Sequence, residues 1–470
     1  MPNTLITPSM IAKEALMQLE NNLVFANRVH REMATEFTGG QGSTVSIRRP
    51  VKFNTSNGAT LVKQDVEEKS TNIVVDQRKH VGWEFSTQDL TLSIEEYSDR
   101  YIKPAAITLA NTLDRSIASL YTSVFNLVGT PGTTPNSFTA AAAAAQRLDE
   151  MAVLTDNRTL AVNPAAAYAI AGNQLTLNSV GDVEKTAYEN AKVGKIATME
   201  MFSTQNVRTH TVGPLGGTPA VNGAGQNVTY ANAVGATWSQ SLITNGWTAA
   251  AALRVRAGDV FTIANVFAVN PVPDDTGAKM VMPYLQQFTV LANGSSDAGG
   301  NLTMTISPPI ITTGPQQTCS AAPGAGALLT FVGTAATNYP MNLAFHRNAF
   351  ALVTVPLEMP DGAAFKARET YKGLSMRVIK DYDITNDTDI IRLDVLYGVK
   401  AIDRGDGAET TRMVTRTKGA MDKQKVFREE QADIDAKRAS EAAQREQRAD
   451  RSAGQHVRGV MQAEIGRAHV

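Results

Sequence analysis

The chain has 470 residues, of which 43% are hydrophobic and 19% charged, a composition typical of a folded protein of about two to four domains. Its 44 basic and 45 acidic side chains leave a formal net charge of −1, which excludes a polycationic nucleic-acid binder. A single cysteine, Cys319, excludes a disulfide framework and a cysteine-cluster zinc site. The N-terminal residues lack a signal-peptide pattern, and no apolar run reaches about 18 residues, so we expect a cytoplasmic protein without membrane spans.

The first predicted element is a helix over residues 8–35. Leu16, Leu19 and Leu23 recur at helical spacing, and Pro8 suits the first position of a helix. The glycine-rich run over 38–44 then interrupts the pattern. Because this run lacks the lysine of a phosphate-binding loop, it predicts a flexible joint.

Two segments of alternating hydrophobicity, 44–53 and 72–85, predict the strands of one long hairpin with a polar tip between them. An isolated two-stranded hairpin is only marginally stable in water. We therefore expect it to lie on another surface, either a neighbouring subunit or its own domain. The candidate subunit contacts are the charged side chains of this segment, Arg48, Arg49, Lys63, Asp65, Glu67 and Glu68. The two arginines could instead meet phosphate.

The segment 94–128 carries one apolar stripe at helical period. Leu109 and Leu113 belong to this stripe, whereas Asp114 falls on the polar face. Pro104 interrupts it, and proline costs about 3 kcal/mol inside a helix but little at its start. We therefore predict a short helix before residue 103 and a long helix from Pro104 to about residue 128. Pro104 becomes a candidate hinge between the two.

The chain then mixes helices and short strands. An alanine-rich helix over 137–154, a strand over 159–162 and a helix over 165–172 predict an α/β region. Residues 222–340 carry few charges and many turn-bounded short strands, which predicts an inserted antiparallel barrel or sandwich.

Helical or mixed sequence is expected to resume at Asn342. Alternation over residues 391–399 predicts a closing strand whose wet face carries Arg392 and Asp394. The segment 421–451 is dense in both charge signs and predicts a solvated helix without a core face. The final IGRAHV resembles a translated sequencing adapter, so we expect the natural C-terminus to differ.

No catalytic or metal-binding motif stands out in the sequence. The six histidines lie far apart, and zinc-protease, serine-hydrolase and dinucleotide-binding signatures are missing. His210 and His346 flank the predicted insertion, and either could approach a carboxylate in the fold. We predict a protein that is not an enzyme and has no catalytic residues, cofactor or metal. An unrecognised active site at one of these histidines is an alternative.

Several short motifs, each weak alone, follow one another in a specific order over residues 1–407. They are Trp83–Ser86, Tyr101–Ala105, Asn163–Pro164, Thr209–Gly213, Gly258–Phe261, Ser307–Pro309, Arg392–Asp394 and Tyr397–Gly398. Together with the order of the elements, they resemble the major capsid proteins of tailed phages, which have the Hong Kong 97-type fold. Within that group they are similar to the coat proteins of short-tailed Salmonella phages. The resemblance implies an α+β fold with an N-terminal arm, an extended loop, a long spine helix, an axial α/β domain and an inserted antiparallel β-barrel.

The resemblance also implies a division of the chain. Its parts are an N-terminal arm over 1–43, an extended loop over 44–86, a peripheral domain with the spine helix over 87–139, the first part of the axial domain over 140–221, the inserted barrel over 222–340, the second axial and peripheral part over 341–407 and a charged tail over 408–470. In this division the extended loop reaches across an adjacent subunit.

The function implied is a major capsid protein of the virion, assembled in the host cytoplasm into hexamers and pentamers of an icosahedral shell. Its implied partners are other copies of itself, a scaffolding protein, a portal protein and double-stranded DNA bound without sequence specificity, with no membrane. Some shells of this fold crosslink a loop lysine to an asparagine, but we expect no crosslink at Lys63 or Lys69. A β-rich, adhesin-like surface module is the alternative, and it would require secretion.

Overall fold

The computed structural model describes residues 8–31, 44–48, 51–64, 66, 69–86, 98–177, 194–231, 238–274, 277–363, 365–402 and 410–414. The chain divides into two compact units, residues 1–416 and 417–470. Every described residue belongs to the first unit. The helix predicted over 421–451 therefore lies outside the described residues.

Helices in the described ranges are α1 Pro8–Asn22, α2 Lys103–Ala118, α3 Phe138–Glu150 and α4 Pro164–Leu177. Two of these helices, α3 and α4, begin after a residue whose side chain accepts a hydrogen bond from a backbone N–H of the first turn. The Ser137 hydroxyl accepts from the N–H of Ala140, and the Asn163 side-chain carbonyl oxygen accepts from the N–H of Ala166.

Both of the first two helices end earlier than predicted. The helix predicted over 8–35 ends at Asn22, whose side-chain amide donates to the Gln18 carbonyl, so the prediction is wrong over 23–31. Its last part, 32–35, lies outside the described residues. The long helix predicted to about residue 128 ends at Ala118 and continues only as a 3-10 turn, Ser119–Ser123. There the Ser119 hydroxyl donates to the Ser116 carbonyl at 2.6 Å, a local bond that competes with helix propagation.

The first eleven strands in chain order are β1 Thr44–Arg48, β2 Ser70–Val74, β3 Gln77–Ser86, β4 Leu127–Val128, β5 Arg158–Val162, β6 Lys195–Ile196, β7 Met199–Ser203, β8 Thr209–Thr211, β9 Gly217–Val221, β10 Gln240–Trp247 and β11 Leu253–Val255. The others described are β12 Val260–Pro273, β13 Lys279–Val290, β14 Gly294–Ser295, β15 Leu302–Ser307, β16 Leu329–Phe331, β17 Asn338–His346, β18 Phe350–Val355, β19 Phe365–Tyr371, β20 Leu374–Asp383, β21 Thr388–Ala401 and β22 Thr410–Val414.

A five-stranded antiparallel sheet lies beneath α1 and α2. Its strand β21 pairs with β3, β18 and β20, and β20 pairs with β19 at the edge. Leu19 of α1 and Leu113 of α2 are buried in one core with Val378 and Leu393 of the sheet. The predicted closing strand is confirmed as part of β21.

A second, mixed sheet carries α3 and α4. Its strands follow the order β4-β22-β17-β5-β7-β6, with β8 also on β17. The pairs β5–β7 and β4–β22 are parallel, as in an α/β arrangement. The helical or mixed structure predicted from Asn342 is wrong, since this part of the chain forms strands β17 and β18. Both strands are buried on their two faces, so their apolar residues follow one another without the alternation that distinguishes a strand from a helix. Residues 410–414, predicted as charged tail, form β22 of this sheet.

The third sheet is a nearly closed antiparallel barrel. Six strands follow the order β16-β12-β13-β15-β10-β9. The N–H of Val221 donates to the Ala327 carbonyl and the Val221 carbonyl accepts from Gly326, both at 2.9 Å, which brings the two ends of the sheet together. The segments near 259–270 and 288–292, predicted as short strands, instead form the long hairpin β12–β13. The barrel starts at Gly217, ahead of the predicted boundary at residue 222.

The hairpin over 44–86 is divided between two sheets. Strand β1 pairs with β2 alone, whereas β3 leaves the hairpin and pairs with β21. The strand predicted over 72–85 is therefore wrong at Val75–Asp76, where the chain passes from one sheet to the other.

Candidate assembly surfaces

The tip of the extended loop presents apolar side chains to solvent. Leu61 is 79% exposed, and Phe53, Val62 and Val66 are each more than half exposed. The backbone around them is held by Gln64, whose side chain bonds both the N–H and the carbonyl of Asn54, at 2.9 and 2.6 Å. Exposed apolar side chains that lie near one another in the sequence make this tip a candidate contact surface.

The predicted charged contacts of this loop are placed only in part. Lys63 is exposed on the tip, and the backbone of Arg48 ends β1 opposite Ser70. Arg49, Asp65, Glu67 and Glu68, together with the side chain of Arg48, lie outside the described residues. The contact role of all six stays a prediction.

The base of the loop is packed on its own subunit. Ile73 and Val75 are buried against Ala351 and Val353 of β18. A side chain at Gly398 would place its Cβ 2.3 Å from the carbonyl oxygen of Val74, so glycine alone allows this approach. The hairpin therefore rests on its own domain at the base, while Leu61 and the other apolar side chains of the tip stay exposed.

A buried carboxylate joins the loop to the five-stranded sheet. Asp394 on β21 is fully buried and accepts from Arg377 at 2.7 Å and Arg392 at 2.9 Å, with Arg78 of β3 at 3.5 Å. Burial by itself raises the pKa of Asp394, but the hydrogen bonds from Arg377 and Arg392 outweigh it and hold the pKa below its usual range. The prediction that Asp394 lies on a wet face is wrong, because three guanidinium groups replace water around it.

A second buried carboxylate holds the N-terminal segment on α2. Asp114 is fully buried and accepts from the N–H groups of Val24 and Ala26, at 2.8 and 3.0 Å. Burial raises the pKa of Asp114, and these backbone hydrogen bonds oppose the shift. The prediction that Asp114 lies on a polar face is wrong, because the chain after α1 folds over that face.

Pro104 lies at the second position of α2. The preceding residues Ser98–Ile102 form a π-helical turn, and Ile102 has right-handed helical backbone angles, so the two segments meet without an extended residue between them. Proline supplies no N–H to the carbonyl one turn earlier, which suits the wider turn before it. Its role as a hinge stays a prediction.

The barrel is joined to the rest of the subunit through a buried polar chain. Asp259, at the start of β12, lies 2.8 Å from Nε2 of His210, and Nδ1 of His210 lies 3.1 Å from the Tyr121 hydroxyl. The Asp259 carboxylate also accepts from the N–H groups of Gly213 and Arg256. Two of the sequence motifs, Thr209–Gly213 and Gly258–Phe261, therefore meet at this contact.

Close backbone approach explains the glycines of this junction. A Cβ at Gly213 would lie 2.3 Å from the carbonyl oxygen of Arg254, and Gly258 has φ of +98° with its Cβ position 3.2 Å from His210. His346 approaches the exposed Asp156 at 3.7 Å. Both histidines do neighbour a carboxylate, but His210 is fixed among structural hydrogen bonds.

Strand β13 supplies the other half of the junction. The Gln287 side chain bonds both backbone groups of Leu127, at 2.7 and 2.9 Å, as a neighbouring strand would. The Thr289 hydroxyl donates to the Thr122 carbonyl at 2.9 Å, and the Arg147 guanidinium stacks 3.8 Å from the Tyr284 ring centroid. The barrel is thus fixed to the chain that follows α2, at Thr122 and Leu127, and to α3.

The described residues hold no group of three or more His, Cys, Asp or Glu side chains placed to bind a metal ion. Among the described helices, none combines the length and the apolar character that crossing a bilayer requires.

A family model described as P22 coat protein, gene protein 5, matches residues 3–405. The chain belongs to the P22 coat protein family. The major capsid protein of Acyrthosiphon pisum secondary endosymbiont phage 1 is 23% identical over 401 residues, which cover 82% of this coat protein and 93% of that relative.

Two solved structures are similar to this coat protein. A chain from Mycobacterium phage Che8 is 14% identical and has a TM-score of 0.43, with 83% of this chain and 90% of that chain covered. The capsid structure of Cyanophage P-SCSP1u is 10% identical and has a TM-score of 0.41, with 84% and 88% covered.

The predicted family is confirmed, and the described residues form the predicted α+β fold with an inserted antiparallel barrel. The protein is a phage major capsid protein and part of the virion. Sequence reasoning missed the apolar surface of the loop tip. Alternation assigns Phe53 to a strand, whereas Leu61, Val62 and Val66 stand inside a segment that its Asn, Thr, Lys and Glu residues mark as polar.

Proposed function

We propose that this coat protein assembles through hexamers and pentamers into an icosahedral shell around the double-stranded DNA of a tailed phage. Assembly takes place in the host cytoplasm, with a scaffolding protein and a portal protein as partners and DNA bound without sequence specificity. Membership of the coat protein family supports the proposal, since a shell protein needs many copies of the same contacts. The observation that carries it is the apolar tip of the extended loop.

In the proposed shell, burial of the apolar side chains of the tip stabilises the contact between subunits. Leu61, Phe53, Val62 and Val66 have their side chains more than half exposed in the single subunit. Burying one such side chain stabilises a contact by about 1.5–3 kcal/mol. The loop would therefore lie across the adjacent subunit with these side chains covered and with Lys63 and the other charged residues at the rim.

In this proposal each of the three largest sheets belongs to one domain of the subunit. The five-stranded sheet with α1 and α2 forms the peripheral domain, the mixed sheet with α3 and α4 forms the axial domain around the capsomer centre, and the barrel is the inserted domain. The proposed boundaries differ from those predicted from the sequence at three places. The insertion starts at Gly217 because β9 belongs to the barrel, and residues 338–340 and 410–414 belong to the mixed sheet as parts of β17 and β22.

The double substitution Leu61→Ser and Val62→Ser tests the loop contact. Both side chains are exposed, so we expect the free energy of unfolding of the subunit to change by less than about 0.5 kcal/mol. Shell yield, measured by sedimentation and negative-stain microscopy at a fixed concentration, should fall about tenfold or more because each subunit contact loses two buried apolar groups.

The matched control is Leu154→Ser, which removes a 58% exposed leucine from the turn after α3. We expect near-normal shell yield from the control. Equal yields from the loop variant and the wild type, or an equal loss in both variants, would contradict the role of the loop tip.

A further inference from the structure

The tip of the extended loop touches the inserted barrel of its own chain at two separated points. The Thr55 hydroxyl donates to the backbone carbonyl of Asp274 at 2.9 Å, in the turn between β12 and β13. The Lys69 ammonium donates to the carbonyl of Ala231 at 2.8 Å and lies 5.0 Å from the ring centroid of Tyr230. These contacts lie at opposite ends of the segment 55–69, which carries the exposed Leu61, Val62 and Val66.

The first contact depends on a specific turn shape. Gly277 has φ of +83°, a conformation that side chains rarely adopt, and a Cβ there would lie 2.4 Å from the carbonyl oxygen of Thr55. The turn is closed by the N–H of Gly277, which donates to the Asp274 carbonyl at 3.1 Å, and by the N–H of Asp274, which donates to the Ala278 carbonyl at 2.8 Å. The backbone of the turn therefore fits closely against the backbone of the loop.

Beside the second contact, the loop and the barrel form an open pocket of about 310 Å³. Val51, Lys52 and Gln64 line it from the loop, and Tyr230 and Gln316 line it from the barrel. Gln316 is 6% exposed, and its Oε1 finds no hydrogen-bond partner among the described residues. The loop therefore covers a part of the barrel surface that includes this buried polar side chain.

The two faces of the loop tip therefore differ in character. The face toward the barrel makes polar contacts, while Leu61, Phe53, Val62 and Val66 keep more than half of each side chain in water. The contact with the barrel thus leaves the apolar side chains available to another molecule.

We propose that the inserted domain is the docking surface for the extended loop of its own subunit, and that it holds the loop ordered, apolar side chains outward, before a second copy binds. This rests on the proposed function, in which the loop tip contacts a neighbouring subunit. A loop that is ordered in advance loses less conformational entropy on binding, so docking to the barrel lowers the cost of each subunit contact.

A disulfide formed in the double variant Thr55→Cys with Asp274→Cys tests whether the docked state exists in the free subunit. The two backbones are adjacent, which suits the short reach of a disulfide. We expect oxidation of dilute, unassembled full-length protein to give an intramolecular crosslink, seen as a faster-migrating monomer on a non-reducing gel. The native Cys319 is fully buried, and burial raises the pKa of its thiol to about 12, so it should not compete.

The mismatched pair Thr60→Cys with Asp274→Cys is the control, because Thr60 is an exposed residue of the same loop. No crosslink in the first pair, only crosslinks between subunits, or equal crosslinking in the control pair would overturn the proposal.

Assembly kinetics test the consequence of docking. Thr55→Val combined with Lys69→Met removes both donors at nearly constant shape, and we expect the assembly rate measured by light scattering to fall about tenfold, a factor equivalent to about 1.4 kcal/mol. Thr60→Val is the matched control and should assemble like the wild type. The oxidised form of the Thr55→Cys, Asp274→Cys variant, with its loop locked to the barrel, should assemble at least as fast as the reduced form.

A locked protein that assembles only after reduction would overturn the proposal, as would an undiminished rate in the Thr55→Val, Lys69→Met variant. Wild-type protein that forms no shells in the same assay would instead contradict the proposed function.

Discussion

Two carboxylates, Asp114 and Asp394, are buried at positions where the hydrophobic pattern of the sequence predicts exposure. Each occupies a position that amphipathic spacing assigns to water, and each is fully buried. Asp114 binds two backbone N–H groups of the N-terminal segment, whereas Asp394 binds arginines from β20 and β21 and faces Arg78 of β3. Except for Arg392, two residues from Asp394, these partners come from other elements of the fold, so hydrophobic periodicity carries no information about them.

Asp394→Asn should strongly destabilise the subunit. The substitution leaves the buried guanidinium of Arg377 without its carboxylate, and breaking such a pair costs about 3–5 kcal/mol. Chemical denaturation measures the loss as a change in the free energy of unfolding. Asp361→Asn, at an exposed position, is the control and should change it by less than about 0.5 kcal/mol. A loss in Asp394→Asn no larger than in the control would contradict the role of the network.

The same carboxylate predicts a pH dependence. The pKa of Asp394 is held below its usual range in the folded subunit, so its stabilising contribution is present above the unfolded value of about 3.9 and is lost as the pH falls toward the folded value. The difference in unfolding free energy between wild type and Asp394→Asn should therefore shrink as the pH falls from about 6 to about 3. A difference that stays constant over that range would contradict the shift.

At the scale of elements, the sequence predicts where helices and strands occur better than where they end. The starts of α3 and α4 follow from Ser137 and Asn163, whose side chains accept from the first turn. The early end of α2 depends on Ser119, and the division of the hairpin at Val75 depends on a partner strand far along the chain. A helix cap can be predicted from neighbouring residues, whereas the pairing of strands that lie far apart in the sequence cannot.

Pro104→Ala tests the hinge at the start of α2. Alanine restores an N–H that can bond the carbonyl of Arg100, which would convert the π-helical turn Ser98–Ile102 into regular α-helix and shift the chain that leads from the loop. We expect assembly defects, seen as aberrant particles by electron microscopy, with the unfolding free energy changed by less than about 1 kcal/mol. Particles of normal size and shape would contradict the hinge.

At the scale of the whole molecule, the three largest sheets of the described residues are joined by specific polar contacts. Gln287 and the His210–Asp259 pair fix the barrel to the chain that follows α2, and Asp394 joins strand β3, which leads from the loop, to β20 and β21. The order of elements and motifs predicts the family and the fold. It does not predict the proposed contact surface, because only the folded subunit shows that Leu61 and its apolar neighbours stay exposed.

Electron microscopy of the purified wild-type protein, with and without its scaffolding protein, tests the central claim most directly. We expect closed shells or large rings built from many copies, with the extended loop of each subunit in contact with its neighbour. Monomers alone under both conditions would contradict the account.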